Sequence, residues 1–374
     1  MPRVPPVPPT SVETTAPLRA TSDLRTAVSA VLDDFLHDQT AVLREVSEDC
    51  EPVLDAVRDL VAGGKRLRPA FCFWGYHGVA EGLPDAGVVT AAAALELFQA
   101  AALIHDDVMD DSDTRRGQPA VHRRFEALHR ESGWDGSGTR FGLAGAVLAG
   151  DLCLGWSDEL FSRSELPADA LLRGRQVFNT MRTQLMGGQY LDMLEQASST
   201  QRGAAGAVDR ARRVLTFKSA KYSIEHPLLL GGSLAGASTD LLADYSRFGL
   251  ALGEAFQLRD DVLGVFGDPT ETGKPAGDDL REGKRTVLVG LAVQNATPAQ
   301  AEQVDRLLGA PDLDAEGVEV LRTVLTETGA LAGVEELISA QVDAACATLD
   351  AADLTDSARA ALHELVVAAT SRRS

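Results

Sequence analysis

The stretch Leu103–His122 reads LIHDDVMDDSDTRRGQPAVH, an apolar run that turns acidic within one helical turn. Asp106, Asp107, Asp110, Asp111 and Asp113 are followed by Arg115 and Arg116, and Gly117 with Pro119 closes the element. If the chain is helical up to Asp110, Asp106 and Asp110 share one face and Asp107 lies beside them. Like charges at that spacing repel, so the cluster must gain something that offsets the cost. Clustered carboxylates suit hard, oxygen-seeking cations such as Mg²⁺. A Mg²⁺ ion held by one or two carboxylates keeps positions open for a substrate diphosphate, and the arginine fork matches phosphate oxygens. The stretch predicts a Mg²⁺–diphosphate site; the competing reading is a solvated acidic helix end.

A second stretch, Phe256–Thr286, repeats the pattern as FQLRDDVLGVFGDPTETGKPAGDDLREGKRT. An apolar helical run ends in Asp260 and Asp261, and Gly273, Lys274, Gly277, Lys284 and Arg285 follow. Two apolar helices that each carry an aspartate pair can face one another in a bundle and hold metal between them.

Working outward, the Pro- and Thr-rich residues 1–20 lack periodicity and read as a disordered tail, leaving 21–374 as one domain. Leu24–Leu43 and Val53–Val61 have apolar residues at helical spacing. Gly63-Gly64-Lys65-Arg66-Leu67-Arg68-Pro69 then joins two glycines, which let backbone approach an anion, to three cations. It reads as a second phosphate site or as a solvated basic turn. Ala91–Ile104 leads into the first aspartate cluster. Ala144–Leu160, with Asp151 inside it, reads as a buried helix, and Ala197–Ala205 as a connection. Val177–Leu194 carries Gly188-Gln189-Tyr190-Leu191-Asp192, Val214–Leu230 carries Lys218-Ser219-Ala220-Lys221-Tyr222, and Leu241–Phe266 carries the second aspartate pair. No segment alternates as a strand does. The expected fold is all-α, a single large bundle of roughly a dozen helices.

Composition agrees. In 374 residues, 45% hydrophobic and only 5% aromatic, abundant alanine favours closely packed helices. A net charge of −20 argues against a nucleic-acid surface. Cys50, Cys72, Cys153 and Cys346 are scattered, as neither disulfide framework nor zinc site would have them. No signal peptide or membrane span is read, so a cytoplasmic enzyme is expected.

The set GGKRLRP, LIHDDVMDDSDTRRG, GQYLD, KSAKY and FQLRDDVLGVFGDPTETGKP, in this order, resembles the trans-isoprenyl diphosphate synthases, or polyprenyl synthetases. The resemblance implies two aspartate arms facing across a deep central cavity, a homodimer, and head-to-tail condensation of isopentenyl diphosphate onto an allylic diphosphate. By position it implies that Asp106 and Asp110 bind two Mg²⁺ ions with Asp107 in support, and that Asp260 binds a third with Asp261 close by. Arg115, Lys218 and Lys274 would contact the allylic diphosphate, with Gln257 and Asp192 beside it and Ser219 in place of the usual threonine. Gly64, Lys65, Arg68 and Arg116 would hold the diphosphate of isopentenyl diphosphate, with Gln99 where many members have histidine. The third aspartate of the second arm is here Gly264, a lost side chain on the metal face.

Product length is read from the helix before Asp106, where Ala102, Ala101, Phe98 and Leu95 are assigned to the tail cavity. Ala101 and Ala102 leave the first turn open. Phe98, eight residues back and roughly 12 Å down the axis at 1.5 Å per residue, is the expected floor, giving geranylgeranyl diphosphate (C20); the competing reading is an ordinary core residue that faces elsewhere. Alternatives are a longer or shorter product, a terpene cyclase of the same fold, and a non-catalytic synthase subunit. Arg372 and Arg373 could close over the mouth or be a solvated tail.

Overall fold

A computed structural model describes residues 21–268 and 277–370. The tail 1–20, Lys274, Arg372 and Arg373 lie outside them. Helices α1 (Thr21–Val46), α2 (Glu51–Val61), α3 (Leu67–His77), α4 (Ala86–Met109), α5 (Val121–Glu131), α6 (Gly138–Ser162) and α7 (Ala168–Arg202) form the first half. Then come α8 (Ala207–Val214), a π-helical segment Leu215–Glu225, α9 (His226–Ala235) and α10 (Thr239–Phe266). The rest is α11 (Asp278–Arg281), α12 (Val287–Asn295), α13 (Pro298–Leu307), α14 (Ala315–Glu327), α15 (Ala330–Ala351) and α16 (Asp356–Thr370). The all-α expectation holds. Among the described residues the exception is a two-residue antiparallel pair, Thr114–Arg115 with Gln118–Pro119.

α4 is the central post. Ala91 to Leu95 are wholly buried, and the small side chains let α6 lie close against it. α4 is long and apolar enough to cross a membrane, yet 78% of its most apolar window is buried inside the fold. It is the core helix of the bundle. α3 and α9 touch almost backbone to backbone: a Cβ on Gly75 would fall 3.0 Å from Leu228 Cα, and one on Gly231 would fall 2.7 Å from Tyr76 N. Serine and threonine caps start several of the helices, Ser137 for α6, Ser238 for α10 and Thr286 for α12 among them.

Buried apolar side chains form two clusters. The larger joins α1–α7 with α9, the first half of α10 and α16. The smaller joins α8, the second half of α10 and α12–α15. The first aspartate stretch ends a helix of the larger cluster, and the second lies on the α10 turns that enter the smaller one. The site therefore sits at the seam, with α10 running through both cores and fixing one arm against the other.

Two local expectations are corrected. Ala197–Ala205 is not a connection, because α7 continues to Arg202. Glu195 holds that end by ion pairs to Arg202 (2.5 Å) and Arg210 (2.8 Å), a tertiary gain that outweighs weak local signals. Asp151 is not buried within α6: its side chain is 64% exposed.

Candidate active site

The first arm is built by a helix end and a tight hairpin. α4 stops at Met109, and Asp111 takes a left-handed conformation (φ 52°). Arg116 (φ 53°) and Gly117 (φ 73°) are the two central residues of the following turn, both left-handed as a two-residue hairpin requires. The turn separates neighbouring arginines. Arg115 folds back onto Asp107, donating from Nε at 2.8 Å and again from its terminal nitrogen, and lies 3.5 Å from Asp106. Arg116 reaches the other way and donates to the Leu60 carbonyl at 2.9 Å, beside Gly64.

The Gly-Gly-Lys-Arg loop faces that hairpin. Gly63 (φ 72°) and Gly64 (φ 92°) turn the backbone as only glycine does readily. The cations then divide. Arg66 is buried, bonded to Glu96 at 2.6 Å and to the Val61 carbonyl at 2.7 Å. Its role is to pin the loop to α4. Lys65 and Arg68 line the cavity, Arg68 lying 4.4 Å over the Tyr222 ring and donating to Ser223 at 2.7 Å. Gln99 accepts from the Tyr222 hydroxyl at 2.8 Å.

Lys218 and Ser219 stand on the π-helical segment, a form that is rare and frequent at functional sites. α7 approaches it closely: a Cβ on Gly188 would lie 2.5 Å from the Phe217 carbonyl carbon. That closeness brings Asp192 to Lys218 Nζ (2.6 Å) and Gln189 to Asp106 (2.9 Å). Lys218 Nζ also lies 3.0 Å from Asp106. On α10, Gln257 accepts from Ser219 and donates to Asp261 at 2.8 Å. The two arms are tied together by Lys284, 3.7 Å from Asp110, 3.3 Å from Asp279 and paired with Glu282. Ser112 donates to Glu282 at 2.9 Å, closing the same ring of contacts.

The electrostatics follow from burial against nearby cations. Burial works to raise Asp106, but Lys218, Lys284 and Arg115 overcome it and hold the carboxyl at about 2. Asp110 has less compensation; burial first, then the Asp106 charge, pushes it up to about 6. Asp261 is pushed up to about 8 by burial and then by Asp279. Lys218 and Arg115 rise despite burial because carboxylates surround them.

Most of these groups line one cavity of about 810 Å³. Gly64, Lys65, Arg68, Gln99, Arg116 and Tyr222 lie on its wall, as do Asp106, Arg115, Asp192, Lys218, Ser219, Gln257, Asp260 and Asp261. Of the predicted aspartates, Asp107 and Asp110 are not on this lining: both side chains are buried, Asp107 under Arg115 and Asp110 beside Lys284. Lys274 lies outside the described residues. The tail stripe differs. On α4 the lining is Glu96, Gln99, Leu103 and Asp106, whereas Phe98 and Ala101 are core-buried and Ala102 is half-buried. Phe98 packs behind the lining, its ring 6.4 Å from Tyr222 and 6.2 Å from Phe178, which stacks on Phe161 at 5.0 Å. Three contributors went unassigned from sequence. Gln189 was visible only as part of a motif, Lys284 only as a cation after the second arm, and Asp279 not at all.

Magnesium fits the donors. Asp110 Oδ2 is buried without a hydrogen-bond partner, and its side chain is 2% exposed. The nearest positive charge is an ammonium between both arms. Among the described residues no group of three or more His, Cys, Asp or Glu side chains is placed to hold a metal ion; Mg²⁺ is commonly held by one or two carboxylates and completes its shell with phosphate and water.

A helical bundle with aspartates from two stretches and basic side chains around one cavity suits a transferase that uses diphosphate substrates. The chain belongs to the polyprenyl synthetase family, whose model matches residues 51–325. It is 33% identical to the geranylgeranyl diphosphate synthase of Methanosarcina mazei, over 80% of this chain and 84% of that protein. It is 32% identical to the nonaprenyl diphosphate synthase of Mycobacterium tuberculosis, over 74% of each. The crystal structure of a geranylgeranyl pyrophosphate synthase from Corynebacterium glutamicum, complexed with isoprenyl diphosphate and magnesium, superposes with a TM-score of 0.89. That structure is 40% identical and covers 95% of this chain and all of its own. The protein is a prenyltransferase of isoprenoid biosynthesis.

Proposed function

We propose that the chain joins isopentenyl diphosphate head to tail with an allylic diphosphate to give geranylgeranyl diphosphate, using three Mg²⁺ ions. The observation that carries this is a single cavity lined by two groups of basic side chains, each suited to a diphosphate. One is Lys218 and Arg115 beside the aspartate arms, the other the Gly64–Arg68 loop with Arg116. A cyclase of this fold ionises one diphosphate and has no use for the second group.

Asp106 and Asp110 on one arm and Asp260 on the other would hold the ions, Asp107 keeping Arg115 in place. When bound, the metal supplies positive charge to the departing allylic diphosphate. The chain's own cations act on the same charge: Lys218 and Arg115, with Lys274 carried over from the family resemblance. Breaking the allylic C–O bond leaves a carbocation. Ser219 and Gln257, joined by a hydrogen bond, stand beside it. Gly64, Lys65, Arg68, Arg116 and Gln99 hold the diphosphate of isopentenyl diphosphate, and the double bond of its isopentenyl group attacks the cation. The released diphosphate takes the proton lost after coupling. Apolar walls such as Leu103, Leu215 and Phe256 exclude water that would quench the cation.

The C20 reading is supported by the aromatic backing of Phe98, Phe178 and Phe161 behind the cavity wall. Identity alone does not choose, since a geranylfarnesyl diphosphate synthase from Aeropyrum pernix is 32% identical. A homodimer is part of the reading, supported by apolar side chains exposed along α6 and α7, among them Leu148 (60%), Leu172 (70%) and Tyr190 (64%). So is a cytoplasmic location, which fractionation of the native cell tests.

Purified protein given labelled isopentenyl diphosphate should incorporate label only when Mg²⁺ and an allylic diphosphate are both present. A hydrocarbon formed from the allylic substrate alone would contradict the reading of two diphosphate sites.

A further inference from the structure

We propose that Asp279 supplies the carboxylate that the second aspartate arm lacks at Gly264, and so completes the metal-holding face on the Asp260 side. The inference rests on the magnesium reading above and extends it to a residue outside both aspartate motifs.

Position 264 is one turn beyond Asp260 on α10, and both residues line the cavity. A Cβ placed on Gly264 would fall 2.6 Å from Asp279 Cγ and nearer still to one of its carboxylate oxygens. The Asp279 carboxylate therefore occupies the volume a side chain at 264 would fill. It arrives from another element. Gly277 turns the chain with φ 75°, and the short α11 that follows packs on α10 and directs Asp279 into the cavity. The missing group is restored in space by a residue fifteen positions later in sequence.

What faces Asp279 points to a cation. Lys284 Nζ lies 3.3 Å from Asp279 and 3.7 Å from Asp110, so one positive charge touches carboxylates from both sides of the cavity. Asp110 Oδ2, opposite, is buried and accepts no hydrogen bond. A divalent ion bound on this face would satisfy that oxygen, which the Lys284 ammonium approaches only to 3.7 Å.

The alternative is that Asp279 only anchors Lys284. Calorimetric titration of Mg²⁺ into the full-length protein holding inorganic diphosphate separates the two, with folding checked by circular dichroism. Asp279→Asn keeps the shape and a hydrogen-bond acceptor for Lys284 but removes the charge; it should weaken Mg²⁺ binding roughly 10- to 100-fold. The double variant Gly264→Asp with Asp279→Ala moves the carboxylate to the arm and should bind Mg²⁺ within about threefold of the unaltered protein, a difference under 1 kcal/mol by the tenfold-per-1.4 rule. Unchanged Mg²⁺ binding in Asp279→Asn, or a double variant as weak as Asp279→Ala alone, would overturn the proposal. Asp106→Asn is the control. If it too binds Mg²⁺ normally, the magnesium reading falls and the proposal with it; if it alone is weak, only the Asp279 proposal fails.

Discussion

At the scale of single residues, each cation of the basic groups has a separable task. Lys65, Arg66 and Arg68 all line the cavity, but Arg66 is buried and bonded to Glu96 and the Val61 carbonyl, which holds the loop. Arg66→Met should therefore cost stability, several kcal/mol for a buried pair left half-made. Arg68→Met should raise the KM for isopentenyl diphosphate and leave the melting temperature within a few degrees. Steady-state kinetics and thermal unfolding of the two variants check this. A second prediction concerns pH away from the site. His226 is buried, and burial holds its ring down at about 4. The unfolded ring binds a proton near pH 6.5, so between those values the unfolded state holds more protons and stability rises with pH. The contribution is complete above about pH 6.5 and falls away as pH drops towards 4. It amounts to about 3 kcal/mol at most. Urea unfolding at pH 5 and 7.5 should show a smaller pH difference in His226→Gln than in the unaltered chain.

At the scale of elements, the closeness of α7 to the π-helical segment sets the geometry of Lys218. Gly188→Ala would force a methyl against Phe217 and Lys218 backbone. A cost of about 1–3 kcal/mol is expected, together with a fall in kcat as Lys218 moves from Asp106 and Asp192. Circular dichroism melts and kinetics measure both. α4 shows what periodicity can and cannot give. The pairing of Asp106 with Asp110 was legible because four residues make nearly one turn. The tail stripe was not, since an error of one residue rotates a helix face by 100°. That is the slip between the Phe98–Ala102 stripe and the observed Gln99–Leu103 lining. Phe98 acts from behind Tyr222, so Phe98→Ala should lengthen the product by one or more isoprene units and cost about 3–5 kcal/mol. Unchanged product length would remove Phe98 from the chain-length machinery.

At the scale of the whole molecule, two apolar cores meet at the cavity and α10 belongs to both. Composition and repeated apolar–aspartate helices made the all-α bundle and its paired arms readable, because both signals are periodic and local. The Lys284 bridge and the Asp279–Gly264 juxtaposition were not readable, since they arise only when α11 folds back on α10. The exposed apolar faces of α6 and α7 predict a dimer. Leu148→Glu with Tyr190→Glu should convert the particle to half its mass by light scattering, and activity reports whether the paired state is required. The central claim, condensation to a C20 diphosphate in one cavity with two basic groups, is tested most directly by product identity. Purified protein with Mg²⁺, labelled isopentenyl diphosphate and dimethylallyl or farnesyl diphosphate should yield, after dephosphorylation, a single C20 alcohol. A longer or shorter prenol would contradict the proposed length, and no incorporated isopentenyl label would contradict the condensation itself.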